Sequence, residues 1–149
     1  MDDKLADKQL LIKKNKDEPG IIVAHGTGIK ESRKTTAKTT VCFDEVLANG
    51  TKQTEYNIDL DKVSYEGLIS TQELEQLIDY AVDNPVYLSI REIVRPKGEE
   101  PYVKIRNYGN VITNGDDLDL KPDELTINSL KFLAGDRERK YVPLSQYQG

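Results

Sequence analysis

The stretch Val86–Tyr108 constrains the fold of this chain more than any other. Its first half alternates, with Val86, Leu88, Ile90 and Val94 on one side and Tyr87, Ser89, Arg91 and Arg95 on the other. Its second half sets Val103 and Ile105 against Tyr102, Lys104, Arg106 and Tyr108. Between the halves lies Pro96-Lys97-Gly98-Glu99-Glu100-Pro101, which is turn chemistry. Two period-two runs about a Gly/Pro turn predict an antiparallel β-hairpin with one apolar face. The other face is expected to carry Tyr87, Arg91, Arg95, Tyr102, Lys104, Arg106 and Tyr108 together.

Further hairpins are expected upstream. Gln9–Ile12 and Gly20–Ala24 are short apolar runs separated by Lys13–Pro19, with turn chemistry at Asp17-Glu18-Pro19-Gly20. They read as two strands, with a helix over Asp3–Lys14 as the rival. Gly26–Thr36, with two glycines followed by mixed charge and hydroxyls, reads as a loop. Thr39–Leu60 reads as a second hairpin turning at Asn49-Gly50, because Asn-Gly supplies the positive φ angles of a tight turn.

Ser70–Val82 is the one strong helix. Ser70 and Glu73 have the spacing of a capping box, and Ile69 and Leu74 that of a hydrophobic staple. Leu74, Leu77, Ile78, Ala81 and Val82 form a narrow apolar stripe, and Leu74, Leu77, Ile78 and Val82 are expected to be buried. Asn84-Pro85 ends the helix, since the residue before proline avoids helical angles. Downstream, Val111-Ile112 extends the strand and Thr113–Glu124 reads as an acidic loop. Leu125–Leu133 reads as a strand, Gly135-Asp136 as a turn, and Lys140–Leu144 as a last strand pairing back. The sum is an α+β chain: mostly antiparallel hairpins forming a sheet or small barrel, with one amphipathic helix packed on it.

The length of 149 residues suits a single domain spanning 1–149, with frayed polar ends at about residues 1–8 and 145–149. Apolar residues make up 37% and charged residues 32%, so a modest core under a well-solvated surface is expected. The net charge of −5 argues against indiscriminate nucleic-acid binding. It is unevenly spread. Residues 41–84 carry ten acids and two bases, whereas residues 85–113 carry five bases and three acids. Cys42 is the sole cysteine and reads as a small core residue, in keeping with a reducing compartment. No run nears the roughly 18 apolar residues of a membrane span, and no leader pattern opens the chain. A cytoplasmic protein without membrane association is expected.

Motifs for catalysis and metals are weak. His25-Gly26-Thr27-Gly28 lacks the third glycine or the Gly-Lys-Ser/Thr ending of phosphate loops, so it reads as a turn. One histidine and one cysteine build neither a zinc site nor a Cys–His pair. The acids Asp116, Asp117, Asp119, Asp123 and Glu124 do not match calcium-loop spacing. No cofactor, no metal and no enzymatic activity are expected. The tyrosine- and arginine-rich hairpin face suits single-stranded DNA or RNA, because rings stack bases and cations neutralise phosphates. The same residue types also stabilise strands and populate protein interfaces. The alternative is an inhibitor or assembly component that holds a basic protein through Asp59, Asp61, Glu75 and Asp79. That reading draws on analogy with small acidic proteins of phages and mobile elements. Either reading allows a homo-oligomer.

Overall fold

A computed structural model describes residues 8–37, 40–42, 45–47, 52–65, 69–113 and 118–147. It is mostly antiparallel β-sheet with one helix packed on it. The order along the chain is β1 (Lys8–Lys13), β2 (Ile21–His25), β3 (Ile29–Ala37), β4 (Thr40–Cys42), β5 (Glu45–Leu47), β6 (Lys52–Tyr65), α1 (Thr71–Asp83), β7 (Val86–Val94), β8 (Tyr102–Thr113), β9 (Asp119–Lys121) and β10 (Thr126–Pro143). Eight strands run in the order β3-β6-β2-β1-β7-β8-β10-β9, and β4 with β5 forms a separate two-stranded sheet. A further pairing of β6 with β10 joins strands that lie far apart in that order, so the large sheet is ring-like. Among the described residues no helix is long and apolar enough to cross a membrane.

The first hairpin forms as strands: Leu10 pairs with Ala24 and Ile12 with Ile21. Asp3–Asp7 of the rival helix lie outside the described residues. The loop expected over Gly26–Thr36 is instead largely β3, which pairs with β6 from Ile29–Leu60 to Ala37–Lys52. Its polarity hid it. At an edge strand most side chains can face water, so no alternation is required. The expected Thr39–Leu60 hairpin does not form. β4 pairs with β5, and β6 pairs with β3, β2 and β10. The Asn49-Gly50 turn and the side chain of Cys42 lie outside what is described.

Gly26 has φ +136°, a conformation that glycine adopts without a Cβ penalty. Gly28 matters for a different reason, since a Cβ there would lie 2.0 Å from the Asp61 carbonyl oxygen. That approach carries the hydrogen bond from Asp61 N–H to the Gly28 carbonyl. The weak phosphate motif is thus a turn that docks β3 on β6.

In α1 the expected box is present. Ser70 Oγ accepts from the Glu73 amide, and Glu73 accepts from the Ser70 amide. Leu74, Ile78 and Ala81 are buried, with Leu77 partly so. Val82 was expected inside but is 38% exposed. Ala81 lies one step round the helix and takes the inward place, because the stripe is centred on Leu74 and Ile78.

Strand β10 runs 18 residues straight through Gly135-Asp136, so the expected turn and returning strand are replaced by one long strand. Its first half pairs with β6 and β9 and its second half with β8. The expected tail is also ordered in part. Leu144–Gln146 makes a 3-10 turn against β8, and Leu144 N–H donates to the Pro101 carbonyl.

The core gathers Leu10, Ile12, Ile29, Ile58, Leu60, Leu88, Ile90 and Leu130 beneath the α1 residues. Burial of such side chains contributes roughly 1.5–3 kcal/mol apiece. At the acidic stretch, β9 and the 3-10 turn Pro122–Glu124 replace part of the expected loop. Asp116 and Asp117 lie outside the described residues.

Candidate functional site

The central hairpin forms as expected, with β7 on β8, and Gly98 at φ +79° makes its turn. Its faces differ from the sequence expectation. Leu88 pairs with Tyr108, Ile90 with Arg106, Glu92 with Lys104 and Val94 with Tyr102, and residues paired across strands share a face. Tyr102, Lys104, Arg106 and Tyr108 therefore lie with Leu88 and Ile90, on the side that holds the core. Tyr87, Ser89 and Arg91 lie on the outer side with Val103, Ile105 and Asn107. The seven candidate residues do not share one surface.

The cause is a bulge. The step Val86–Leu88 on β7 faces the longer step Tyr108–Val111 on β8, and Asn110 takes a left-handed φ of 52°. An extra residue moves a strand's side chains from one face to the other. Val111 belongs to the core on one side of the bulge, as does Tyr108 on the other. Val103 and Ile105, in phase with Val111 by sequence, point outward. Val103 is nonetheless buried, beside Ile93 and Val142 in the sheet.

Arg106 and Tyr108 are built into a buried ion network. Glu31 on β3 receives Arg137 Nη1 at 2.6 Å, lies 3.6 Å from Arg106 Nη1, and accepts the Tyr108 hydroxyl. Arg106 Nη2 also reaches Glu92 at 3.4 Å. The side chains of Glu31, Arg106 and Arg137 are all about nine-tenths buried. Tyr56 meets Tyr108 edge-on at 6.2 Å, and Arg137 sits 4.7 Å from the Tyr56 ring centre. Burial first, and then the bond to Glu31, push the Tyr108 hydroxyl well above its ordinary pKa, against the pull of Arg106 and Arg137. A charged pair with good partners can be held inside, and here the network closes one part of the ring. These groups are bound chiefly to one another, although Arg106 Nε is buried without a hydrogen-bond partner.

The remaining candidates scatter. Tyr102 is half-buried and meets Tyr141 edge-on at 5.7 Å, with Tyr141 paired beside Lys104. Arg95 is exposed at the start of the turn. Arg91 is half-buried on the outer face, where its Nη1 donates to the Tyr147 hydroxyl at 2.9 Å. Of the acidic set, Asp59 is half-buried between its strand partners Lys30 and Lys131, and Asp61 is exposed beside Ser129. Glu75 and Asp79 are exposed on α1, one turn apart.

A concave feature of the surface lies on the outer face around Tyr87. A groove of about 530 Å³ is bordered by Lys13, Lys16, Tyr87, Asn107, Gly109 and Lys140, with Asp136, Arg137 and Glu138 along β10. A Cβ at Gly109 would make only ordinary contact with Asp136 and with the Tyr87 ring, at 3.8 Å, so the groove does not depend on glycine there. Asn110 Nδ2 donates to Asp136 at 2.7 Å, and Arg137 is held by Glu31. The Lys140–Glu138 pair, at 3.7 Å, is largely exposed and weak. Lys13 Nζ donates to the Lys16 carbonyl, and among the described residues neither lysine pairs with a carboxylate.

Of the groove lining, sequence reasoning named Tyr87 and Tyr108. It passed over the glycine–asparagine step at Gly109-Asn110, which inside an alternating strand is a bulge signal. Lys13 and Lys16 stand three residues apart at the end of β1, whereas Lys140 lies far off on β10, and nothing local joins the two places. Comparison with known proteins gave no matching family model and no matching curated protein.

Proposed function

We propose that this chain is a non-enzymatic binding protein that holds single-stranded DNA or RNA in the Tyr87 groove. The observation that carries the reading is a groove of about 530 Å³ on the outer face of the sheet that brings the Tyr87 ring together with Lys13, Lys16 and Lys140, alongside the carboxylates of Asp136 and Glu138. That volume is of the size that accommodates a small ligand or a nucleotide. A base stacks against Tyr87, Asn107 offers an amide to its edge, and Lys13, Lys16 and Lys140 neutralise phosphates on either side. Stacking tolerates any base and lysine contacts read only the backbone, so binding is sequence-tolerant and salt-dependent.

Fluorescence anisotropy with a labelled oligothymidylate tests this. Tyr87→Ala should weaken binding by about 1–3 kcal/mol with little change in salt dependence. Lys13→Ala and Lys140→Ala should each lower the salt slope by about 0.7. No binding of any single strand at ionic strengths between about 0.01 and 0.1 M refutes the proposal. The rival reading, a basic protein partner at Glu75 and Asp79, rests on their shared exposed face of α1. It predicts that Glu75→Lys and Asp79→Lys slow association with that partner while the groove variants do nothing.

A further inference from the structure

We propose that Ser89 and Arg91 form an oxyanion subsite beside the groove, which seats one phosphate of the bound strand; this rests on the nucleic-acid reading of the groove. The two residues are neighbours on the outer face of β7, separated by the inward Ile90. Ser89 is 7% exposed. Its Oγ is buried without a hydrogen-bond partner, and so is Arg91 Nε. Both line a small cavity of about 40 Å³ whose other walls include Leu11, Lys13, Gly20 and Asn107. Lys13 and Asn107 also border the groove, so the two spaces adjoin. Gly20 is fitted there closely, since a Cβ would press Leu11 at 3.0 Å.

The chemistry of the lining selects the ligand. A hydroxyl, a guanidinium N–H, an ammonium and an amide can all donate, and no carboxylate lines the cavity. Leaving a buried donor unmade costs about 1–3 kcal/mol, so a protein that keeps two of them side by side gains by supplying an acceptor. Arg91 is permanently charged, and among the described residues its side-chain hydrogen bond goes to the Tyr147 hydroxyl and not to a carboxylate, so an anion is the matching partner. A water needs only about 10–15 Å³ of such space, so this cavity has room for phosphate oxygens and not for a base. The base then belongs in the groove and the phosphate in the cavity.

The test has two arms, one for free phosphate and one for the strand. Inorganic phosphate is titrated into ¹⁵N-labelled protein, with chloride at matched ionic strength as the control. Oligothymidylate affinity is measured for the wild type, Ser89→Ala, Arg91→Gln, Arg91→Lys and Tyr147→Phe. Saturable phosphate shifts at the Ser89, Arg91 and Asn107 amides, lost in Arg91→Gln, are expected. Oligonucleotide affinity should fall about tenfold in Arg91→Gln, with a salt slope lowered by about 0.7, and fall less in Ser89→Ala with the slope unchanged.

Arg91→Lys keeps the charge but removes the Nε donor, and should lose the phosphate shifts even where Arg91→Gln fails to fold. Tyr147→Phe breaks the Arg91–Tyr147 hydrogen bond without entering the cavity and should bind normally. A loss in Tyr147→Phe equal to that in Arg91→Gln would mark Arg91 as a structural prop and overturn the subsite. Absent phosphate shifts with unchanged oligonucleotide affinity in the Ser89 and Arg91 variants would leave only a water there, overturning the subsite while the groove stands. Phosphate shifts with no strand bound by any variant would support the subsite and overturn the nucleic-acid reading.

Discussion

Glu31 ties three buried side chains of the interior together. Two arginines and a tyrosine converge on it from β8 and β10. Removing one partner of a buried charge set leaves the others uncompensated, which costs about 3–5 kcal/mol. Glu31→Ala should lose that much in urea unfolding, more than any substitution at an exposed carboxylate. Tyr108→Phe tests the same network through pH. An unfolded tyrosine releases its proton near about pH 10, while folded Tyr108 holds its proton to higher pH. Above that point the unfolded chain binds fewer protons than the folded one, so stability falls as pH rises. Below it the contribution of the raised pKa is complete and flat. Tyr108→Phe should therefore remove up to about 1.4 kcal/mol per pH unit of alkaline slope and leave a constant difference below pH ~9. An unchanged slope in the variant would mean that Tyr108 ionises freely. None of this was legible in the sequence. Glu31 and Tyr108 stand 77 residues apart, and a period-two pattern shows a polar side chain without showing whether water or a counter-charge solvates it.

At the scale of elements, legibility follows how local the determining signal is. The limits of α1 could be read because cap, staple and stripe all lie within fifteen or so residues of one another. The hairpin β7–β8 could be read from its turn and alternation, but its faces could not, because one bulge at Gly109-Asn110 reverses them. β3 was missed because a polar edge strand carries no alternation, and its partner β6 is chosen by tertiary pairing. Two substitutions check these placements. Ile78→Ala should cost about 2–5 kcal/mol, whereas Val82→Ala should stay within about 0.5 kcal/mol, in the same unfolding assay. Equal losses at the two sites would mean that the helix is rotated from the orientation described. Gly28→Ala sets a Cβ 2.0 Å from the Asp61 carbonyl, so β3 must shift away from β6. The expected result is loss of amide protection along β3 and β6 in hydrogen exchange, with α1 protection less affected.

The molecule as a whole carries −5, yet its groove is lined by Lys13, Lys16 and Lys140. The segment 41–84 supplies much of the negative charge, including exposed Glu75 and Asp79 on α1. These two scales of charge act at different ranges. At 0.01 M salt the Debye length is about 30 Å, so an approaching strand feels the repulsion of the whole protein. At 0.1 M it is about 10 Å, and only the lysines near the strand count. Affinity for oligothymidylate should thus be greatest at an ionic strength between about 0.01 and 0.1 M, and fall on either side. Above that point the decline should follow about −0.7 per phosphate neutralised. Replacing Glu75 and Asp79 by Gln and Asn should raise affinity and association rate on the low-salt side alone, because it reduces the long-range field without touching the groove. A basic protein partner predicts the reverse, since those substitutions would slow its association most at low salt. An affinity that keeps climbing to the lowest salt, with no response to the helix substitutions, would show that the net charge is too distant from the groove to matter.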